Sequence, residues 1–227
     1  MSIIASAEIF STLRGSLVVI TRSVGMIMQM LSGLYQQFLN VIKHIQGFAP
    51  LALRIYLAPV LMQAGYNKLL HFEDSAAWFG NPDWGLGLPM PEVMVAMAAG
   101  TELFGGFLLL IGLATRMVAM PMMMTMCVAA FAVHLPNGWL AIADPSSWLA
   151  NEQVLASTEK LAAAKSILQQ HGNYEWLTSS GNLVILNNGI EFAMTYLIML
   201  FALFVLGGGR YTSVDYVIAQ RFLKMPN

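Results

Sequence analysis

Five ionisable residues lie inside long apolar segments of the sequence, where charged side chains are rare. They are Arg54, Lys68, Glu102, His134 and Glu191. A charge near the centre of a bilayer costs roughly 3 kcal/mol on insertion scales, so such residues usually face the interior of a helical bundle and have a partner. Two interpretations follow. The residues form a polar pocket for a lipid headgroup, a quinone or an ion, or they form pairs that only fix the register of the helices.

The rise of about 1.5 Å per helical residue indicates which of these residues pair. Arg54 is expected about 9 Å from the inner boundary of the hydrocarbon layer and Glu102 about 15 Å from either boundary, a difference that a guanidinium can bridge. We therefore predict an Arg54–Glu102 pair. Lys68, His134 and Glu191 fall in the outer third and are expected to form a second cluster. The predicted buried polar residues are Arg54, Lys68, Glu102, His134, Asn188 and Glu191.

Soft metal ligands are also concentrated in one segment. Six methionines crowd residues 117–126, next to Cys127, and sulfur ligands suit Cu(I). Methionine is a common filler of apolar cores, however, and Cys127 and His134 are separated by about 10 Å along a helix. We expect no metal site, with Cys127 and His134 as weak candidates, and no intrinsic cofactor. Because Cys127 is the only cysteine, an intramolecular disulfide is excluded.

The elements that position these residues are four apolar segments. Hydrophobic residues make up 57% of the 227 residues and charged residues 10%, where a soluble domain carries about 25% charged residues. A helix needs about 20 apolar residues to cross the hydrocarbon core. Four segments qualify: 48–70, 92–113, 116–135 and 187–208. We therefore predict an all-α integral membrane protein, a four-helix transmembrane bundle whose second and third spans form a hairpin.

The distribution of charges predicts the orientation of the spans. Basic residues dominate one side, whereas eight acidic residues and three lysines collect on the other. By the positive-inside rule, both termini are expected in the cytoplasm. Segments 71–91 and 136–186 then face outward. The second is expected to contain one soluble helix at about 151–170, which begins after Asn151 as its N-cap and stops at Gly172.

Residues 1–47 form a separate region. Apolar residues from Phe10 to Ile45 repeat at alternating steps of three and four, a pattern typical of an amphipathic helix. One interpretation is a helix that lies in the inner headgroup region, and the other is a helix that docks a partner subunit. The rest of the chain, residues 48–227, is predicted to be one four-span domain.

Short motifs in and after the spans match a known family. They are Arg54 followed by Gly65-Tyr66-Asn67-Lys68-Leu69, Thr101-Glu102-Leu103-Phe104-Gly105-Gly106, Gly112-Leu113-Ala114-Thr115-Arg116, and Gly207-Gly208-Gly209-Arg210-Tyr211-Thr212-Ser213-Val214-Asp215. Over about residues 48–220 the chain resembles the DoxX family of small four-helix membrane proteins, and within it a proteobacterial subgroup with a long loop before the last span. The resemblance implies structural roles for Gly105, Gly106, Arg116, Arg210, Tyr211 and Asp215.

The resemblance also implies a functional setting. Family members related to the small subunit of thiosulfate:quinone oxidoreductase work with a partner in sulfur oxidation, and others look like membrane components of oxidative-stress or redox complexes. We therefore expect a multi-pass subunit, in the bacterial inner membrane, of a sulfur- or quinone-linked redox or stress-response complex. It would have a polar intramembrane pocket for a quinone or lipid headgroup and no complete active site of its own. Any enzyme activity would be that of a quinone-linked oxidoreductase to which it contributes a subunit.

Two other functions fit the same residues. The long-loop subgroup tends to accompany metal-stress peptide systems, which implies a scaffold or export component for such a peptide or another envelope client. A proton-coupled transporter that uses Glu102 is the third interpretation. The chain is expected to contact the lipid bilayer, and a protein partner is expected at residues 1–47 or at the outer loop. Nucleic acid is not an expected partner, because the net charge is −1 and no basic tract is present.

Overall fold

The computed structural model describes residues 25–222, and the chain divides into two compact units, Met1–Gly47 and Phe48–Asn227. In the first unit, α1 is helical over residues 25–45. Its apolar heptad positions are all exposed, namely Ile27, Leu31, Leu34, Phe38, Val41 and Ile45. The predicted heptad positions before residue 25 lie outside the described residues.

The second unit is built from helices. They are α2 (Phe48–Leu70), α3 (Phe72–Gly80), α4 (Pro91–Ile111), α5 (Thr115–Val128), α6 (Glu152–His171), α7 (Tyr174–Leu177), α8 (Glu191–Leu206) and α9 (Val214–Phe222). The apolar helices close a ring in which α2 packs against α4, α4 against α5, α5 against α8, and α8 against α2. Residues 25–222 contain no strand. The prediction of an all-α, four-helix bundle is confirmed.

Within residues 25–222, three helical segments are long and apolar enough to cross a membrane: Phe48–Leu70, Pro91–Ile111 and Thr115–Asn137. The last of these extends α5 through a π-helical turn, Ala129–His134, and a 3₁₀ turn. Large apolar side chains such as Phe104 and Phe201 are exposed on the outside of the bundle. Since a helix that is apolar all round needs an apolar environment, these faces contact the lipid bilayer.

The fourth predicted span, 187–208, is wrong at its start. Helix α8 has 16 residues, which span about 24 Å. Residues 187–190 are not helical, because their backbone N–H groups donate to carbonyls of residues 138–141, with N–O distances of 2.8–3.0 Å. Asn188 adopts a left-handed conformation, with φ at 59°, which ends any helix there but which Asn tolerates better than most residues.

Glycines let α2 and α4 approach closely. A Cβ added at Gly65 would lie 2.7 Å from the carbonyl oxygen of Ala99 on α4. A Cβ added at Gly106 would lie 2.6 Å from the side chain of Met62 on α2. Gly105 faces the other way, with Met122 of α5 3.1 Å from such a Cβ. Small residues at these crossings bring the polar groups on α2 and α4 within reach of each other.

The two connecting segments contain helices of their own. In the longer one, α6 begins after Asn151, whose side chain accepts a hydrogen bond from the Val154 N–H at 3.0 Å, and ends before Gly172. That prediction is confirmed. In the shorter one, α3 was not predicted, because segment 71–91 was interpreted only as an outer loop. Helix α3 packs against α4 and brings Trp78 and Phe79 to the side of the bundle.

Candidate functional site

Most buried polar groups of the second unit lie in two clusters at different heights, and Ser157 and Asn187 lie outside both. At the end of the bundle that carries the α4–α5 hairpin, Arg54 is fully buried, with 0% of its surface exposed. Its guanidinium donates to the carbonyl oxygens of Tyr211 at 2.9 Å and of Leu110 and Thr212 at 3.4 Å. The predicted Arg54–Glu102 pair is therefore wrong.

The direction of helical side chains explains this result. A Cα–Cβ bond in an α-helix tilts toward the N-terminus of that helix. Arg54 lies in the second turn of α2, so its guanidinium extends toward the hairpin end and away from Glu102. Arg54 lies opposite Leu110 of α4, whereas Glu102 is more than two turns farther along α4. The depth estimate neglected both the register of the two helices and the tilt of the side chain.

Asp215 completes the hairpin-end cluster, which we define as Arg54, Thr115, Ser213 and Asp215. The two carboxylate oxygens of Asp215 accept from the backbone N–H groups of Ala114 and Thr115, at 2.7 and 2.9 Å. These groups open α5, so the carboxylate lies where the helix dipole favours negative charge. The Ser213 hydroxyl donates to the Gly112 carbonyl at 3.1 Å. The cluster thereby ties the segment after α8 to the hairpin.

The remaining residues implied to be structural lie around this cluster. The Tyr211 ring packs against Phe48, with ring centroids 4.6 Å apart. Arg116 donates to the Val205 carbonyl at 3.1 Å, at the end of α8. Arg210 is exposed. These side chains join helix ends, and we assign no ligand to them.

The second cluster is centred on an ion pair between α2 and α4. Lys68 Nζ lies 2.6 Å from Glu102 Oε2. The Glu102 side chain is 5% exposed and that of Lys68 is 27% exposed. The Lys68 and Glu102 side chains converge because α2 and α4 are antiparallel. Each side chain tilts toward the N-terminus of its own helix and therefore toward the other residue. Glu102 thus pairs with Lys68, the cation that had been assigned to the other predicted cluster.

A cavity adjoins this ion pair, and we call it the α4–α5 cavity. Its volume is about 440 Å³. It is lined by Lys68, Trp78, Phe79, Leu86, Leu88, Met94, Met97, Ala98, Thr101, Glu102, Pro121, Met124, Thr125, Val128, Ala129, Val133 and His134. The walls are mostly apolar, and the polar groups are the ion pair, two threonine hydroxyls and the imidazole of His134. Such a composition is typical of a site for a lipophilic molecule with a polar group.

The outside of the cavity reaches the lipid-facing surface. Met97 is 62% exposed and Met124 is 71% exposed, although both side chains line the cavity. The cavity therefore opens sideways between α4 and α5. A molecule dissolved in the bilayer has direct access to it.

The other residues of the predicted outer cluster have separate roles. His134 lines the cavity together with Lys68, but Glu191 is not among the lining residues. Glu191 Oε2 instead accepts from the backbone N–H of Ala141 at 3.0 Å. The prediction that Asn188 is buried is wrong, because its side chain is exposed. Its carbonyl oxygen, in contrast, lies 2.9 Å from Nδ1 of His134.

Several lining groups were missed from the sequence. Thr101 and Thr125 are uncharged and inconspicuous in apolar spans, so only their position in the structure identifies them. The wall formed by Trp78 and Phe79 depends on α3. Two acidic residues in the first turn of α3, Glu73 and Asp74, are a typical helix-start signal that identifies this short helix.

No group of three or more His, Cys, Asp or Glu side chains within residues 25–222 is placed to hold a metal ion. Cys127 is half-buried on α5. His134 is held by the Asn188 carbonyl. The structure therefore does not bring the two weak metal candidates into one cluster.

Comparison with protein families gives a match over part of the chain. A family model described as DoxX matches residues 49–135. These residues form a DoxX domain. The match includes Arg54, the Lys68–Glu102 pair and every residue that lines the α4–α5 cavity. The DoxX match ends before Asn188 and Asp215, which lie in the later part of the chain. No curated protein and no solved structure matches the chain.

Proposed function

We propose that this DoxX-domain protein is a membrane subunit of a redox complex and binds a lipophilic quinone-class molecule in the α4–α5 cavity. The observation that carries the proposal is the combination of apolar walls with a buried ion pair in one cavity. The volume of about 440 Å³ lies within the range of about 300–1,000 Å³ that is usual for small-molecule sites. Quinones dissolve in the bilayer, and the cavity opens toward it.

The polar groups of the cavity suit the oxygens of a quinone head. The Lys68 ammonium group has three N–H donors, and one of them donates to Glu102. The remaining donors can bind a ligand oxygen. The Thr101 hydroxyl adds a group that can donate and accept, and the Thr125 hydroxyl, which donates to the Met122 carbonyl at 2.8 Å, can still accept. The methionines Met94, Met97 and Met124 provide adaptable apolar contacts. Together these groups would hold a planar ring with oxygen substituents.

The proposal assigns electron transfer to a complex and not to this chain alone. Cys127 is the only cysteine of the sequence, so the chain has no dithiol pair of its own. In this proposal a protein partner supplies or receives the electrons. The long connecting segment offers contact area for a partner, since Trp148 is 91% exposed and Trp176 is 71% exposed.

The proposed setting is the bacterial inner membrane, with both termini in the cytoplasm and the cavity nearer the outer side. The asymmetric distribution of basic and acidic residues supports this orientation. The test uses a Cys127→Ser background that carries Ser166→Cys on α6. A membrane-impermeant thiol reagent added to intact cells should label this variant. Labelling only after the cells are broken would show the opposite orientation.

Trp78 makes ligand binding directly measurable, because it lines the cavity whereas Trp148 does not. We expect a short-chain quinone to quench the tryptophan fluorescence of the purified protein in detergent in a saturable way. Trp78→Phe should remove the saturable part, and Trp148→Phe, the matched control, should retain it. Quenching that does not saturate, or that is equal in the two variants, would contradict the proposal.

The alternative role, a scaffold or export component for an envelope client, needs no ligand in the cavity. It predicts that Thr101, which lines the cavity, tolerates replacement by valine without loss of function in cells. A folded protein that shows no saturable quinone binding would favour this alternative. The mostly exposed α6 supports a protein contact on either account.

A further inference from the structure

His134 is positioned at the cavity by an irregular part of its helix. The π-helical turn Ala129–His134 widens the end of α5, and such turns occur frequently at functional sites. His134 lines the cavity, while its Nδ1 lies 2.9 Å from the carbonyl oxygen of Asn188. One side of the imidazole is therefore held by the backbone, and the other side is available to a ligand.

The partner of Nδ1 determines the tautomer. A carbonyl oxygen is an acceptor only, so the hydrogen bond requires the proton on Nδ1. In the neutral ring, Nε2 then carries a lone pair and acts as an acceptor. Within residues 25–222, Nε2 of His134 has no hydrogen-bond partner.

The carbonyl that fixes this tautomer is itself held firmly. Asn188 has a φ of 59°, a left-handed conformation that directs its backbone out of any regular helix. Its carbonyl oxygen accepts a second hydrogen bond from the Asn137 side chain at 3.1 Å. The neighbouring Asn187 is buried, and its amide donates to the carbonyls of Asn137 and Leu140, at 2.8 and 2.7 Å. The backbone at Asn188 is thus fixed from both sides.

We propose that His134 selects ligands that present a hydroxyl group, with Nε2 accepting a hydrogen bond from that hydroxyl and Asn188 acting as the positioning residue. This inference rests on the proposed function and deepens it, because it names the ligand class as a lipophilic phenol of the quinol type. The other polar end of the cavity is the Lys68–Glu102 pair, whose ammonium donates. A ligand that offers a donor at His134 and an acceptor at Lys68 matches both ends.

Two substitutions separate the two sides of the imidazole. In His134→Asn the amide nitrogen lies near the position of Nδ1, so it can keep the bond to the Asn188 carbonyl, but nothing replaces Nε2. In His134→Gln the terminal amide reaches the position of Nε2, and its oxygen can accept. Both variants are uncharged and polar, which makes them a matched pair.

The first experiment reads the tautomer without any ligand. The protein is labelled with ¹⁵N-histidine, and the His134 signals are assigned as those missing from His134→Gln. In the neutral ring we expect the proton on Nδ1 and none on Nε2. A signal from the tautomer protonated at Nε2 would overturn the proposal, because Nε2 would then be a donor.

The second experiment measures ligand selection by calorimetric titration under anaerobic conditions. The probes are a short-chain quinol and its dimethyl ether, which has the same ring but no hydroxyl. We expect the native protein to bind the quinol about tenfold more tightly, the effect of one hydrogen bond. His134→Asn should lose this preference, and His134→Gln should keep part of it. The dimethyl ether carries the same methyl groups whichever variant is titrated. A preference for the quinol that arises only from the bulk of these methyl groups would therefore persist in His134→Asn.

The outcomes distinguish this inference from the proposed function. If the native protein binds both probes equally, hydroxyl selection is refuted and quinone-class binding stands. If His134→Asn keeps the full preference for the quinol, the preference does not come from Nε2 and the inference is again refuted. If neither probe binds to folded protein, the proposed function fails and the inference fails with it.

Discussion

Removal of Lys68 tests whether the ion pair is buried as tightly as its geometry indicates. The Lys68–Glu102 distance is 2.6 Å, and the Glu102 side chain is only 5% exposed. Breaking a buried pair by removing one partner typically costs about 3–5 kcal/mol, because the remaining charge is left without compensation. Lys68 is 27% exposed, so part of the interaction is screened. We therefore expect Lys68→Met to lower the free energy of unfolding by about 3 kcal/mol, at the lower end of that range.

The two partners should not be equivalent. After Glu102→Gln, the remaining Lys68 ammonium can turn toward the exposed side, so we expect a loss of only about 1 kcal/mol. The double variant Lys68→Met/Glu102→Gln contains no unpaired charge and should also lose about 1 kcal/mol. These three values give a coupling free energy of about 3 kcal/mol in a double-mutant cycle.

The measurement is unfolding in mixed micelles by titration with a denaturing detergent, followed by far-ultraviolet circular dichroism. Gln63→Met, an exposed polar-to-apolar change on the same helix, is the control and should alter stability by less than about 0.5 kcal/mol. Two results would refute the reasoning: Lys68→Met costs no more than Glu102→Gln, or the double variant equals the sum of the single ones.

Three further predictions concern stability and use the same unfolding measurement. Gly112 has a φ of 67°, and a Cβ there would meet Arg54 Nη1. Gly112→Ala should therefore lower the free energy of unfolding by about 3 kcal/mol or more. A neutral effect would show that Arg54 is free to move. Asp215→Asn should cost about 1 kcal/mol, because the start of α5 loses its carboxylate; an unchanged midpoint would exclude that capping role. Gly65→Ala should lower the free energy of unfolding by about 2 kcal/mol, because its Cβ meets the α4 backbone. The control is Gly100→Ala, whose added Cβ has no atom within 4 Å, so this change should be neutral or stabilising. Equal effects of the two changes would contradict the close approach of α2 and α4.

The fold was largely predictable because bilayer-crossing helices have a strong signal. Apolar segments of about 20 residues have few alternatives in lipid, where every backbone polar group needs an internal partner. The same signal fails at the start of α8. Residues 187–190 lie between two apolar runs and were therefore included in the span, but their N–H groups pair with segment 138–141. Hydropathy does not report such a pairing between distant segments.

The candidate site was predicted in only some of its members and not in its geometry. Lys68, Glu102 and His134 were all expected to be polar residues inside the bundle, and all three line the cavity. The Arg54–Glu102 pairing was wrong because residue counting gives heights but not the register of neighbouring helices. Arg54 instead contacts carbonyls near residues 110 and 211, and the second of these lies after the last span. A contact between groups so far apart in sequence is decided by tertiary packing.

The two polar clusters differ in a way that bears on function. At the hairpin end most polar groups are matched by backbone atoms, although Arg54 Nε and Thr115 Oγ1 have no hydrogen-bond partner among the described residues. The packing there is tight, since a Cβ at Gly208 would meet the Ser213 hydroxyl. The Lys68–Glu102 pair, in contrast, adjoins about 440 Å³ of space. Empty volume next to a buried ion pair does not stabilise a bundle, since packed apolar side chains would serve stability as well or better. The cavity is therefore better explained by ligand binding than by a contribution to stability. We accordingly expect substitutions at the cavity to alter ligand binding, and substitutions at the hairpin-end cluster to alter stability without altering ligand binding.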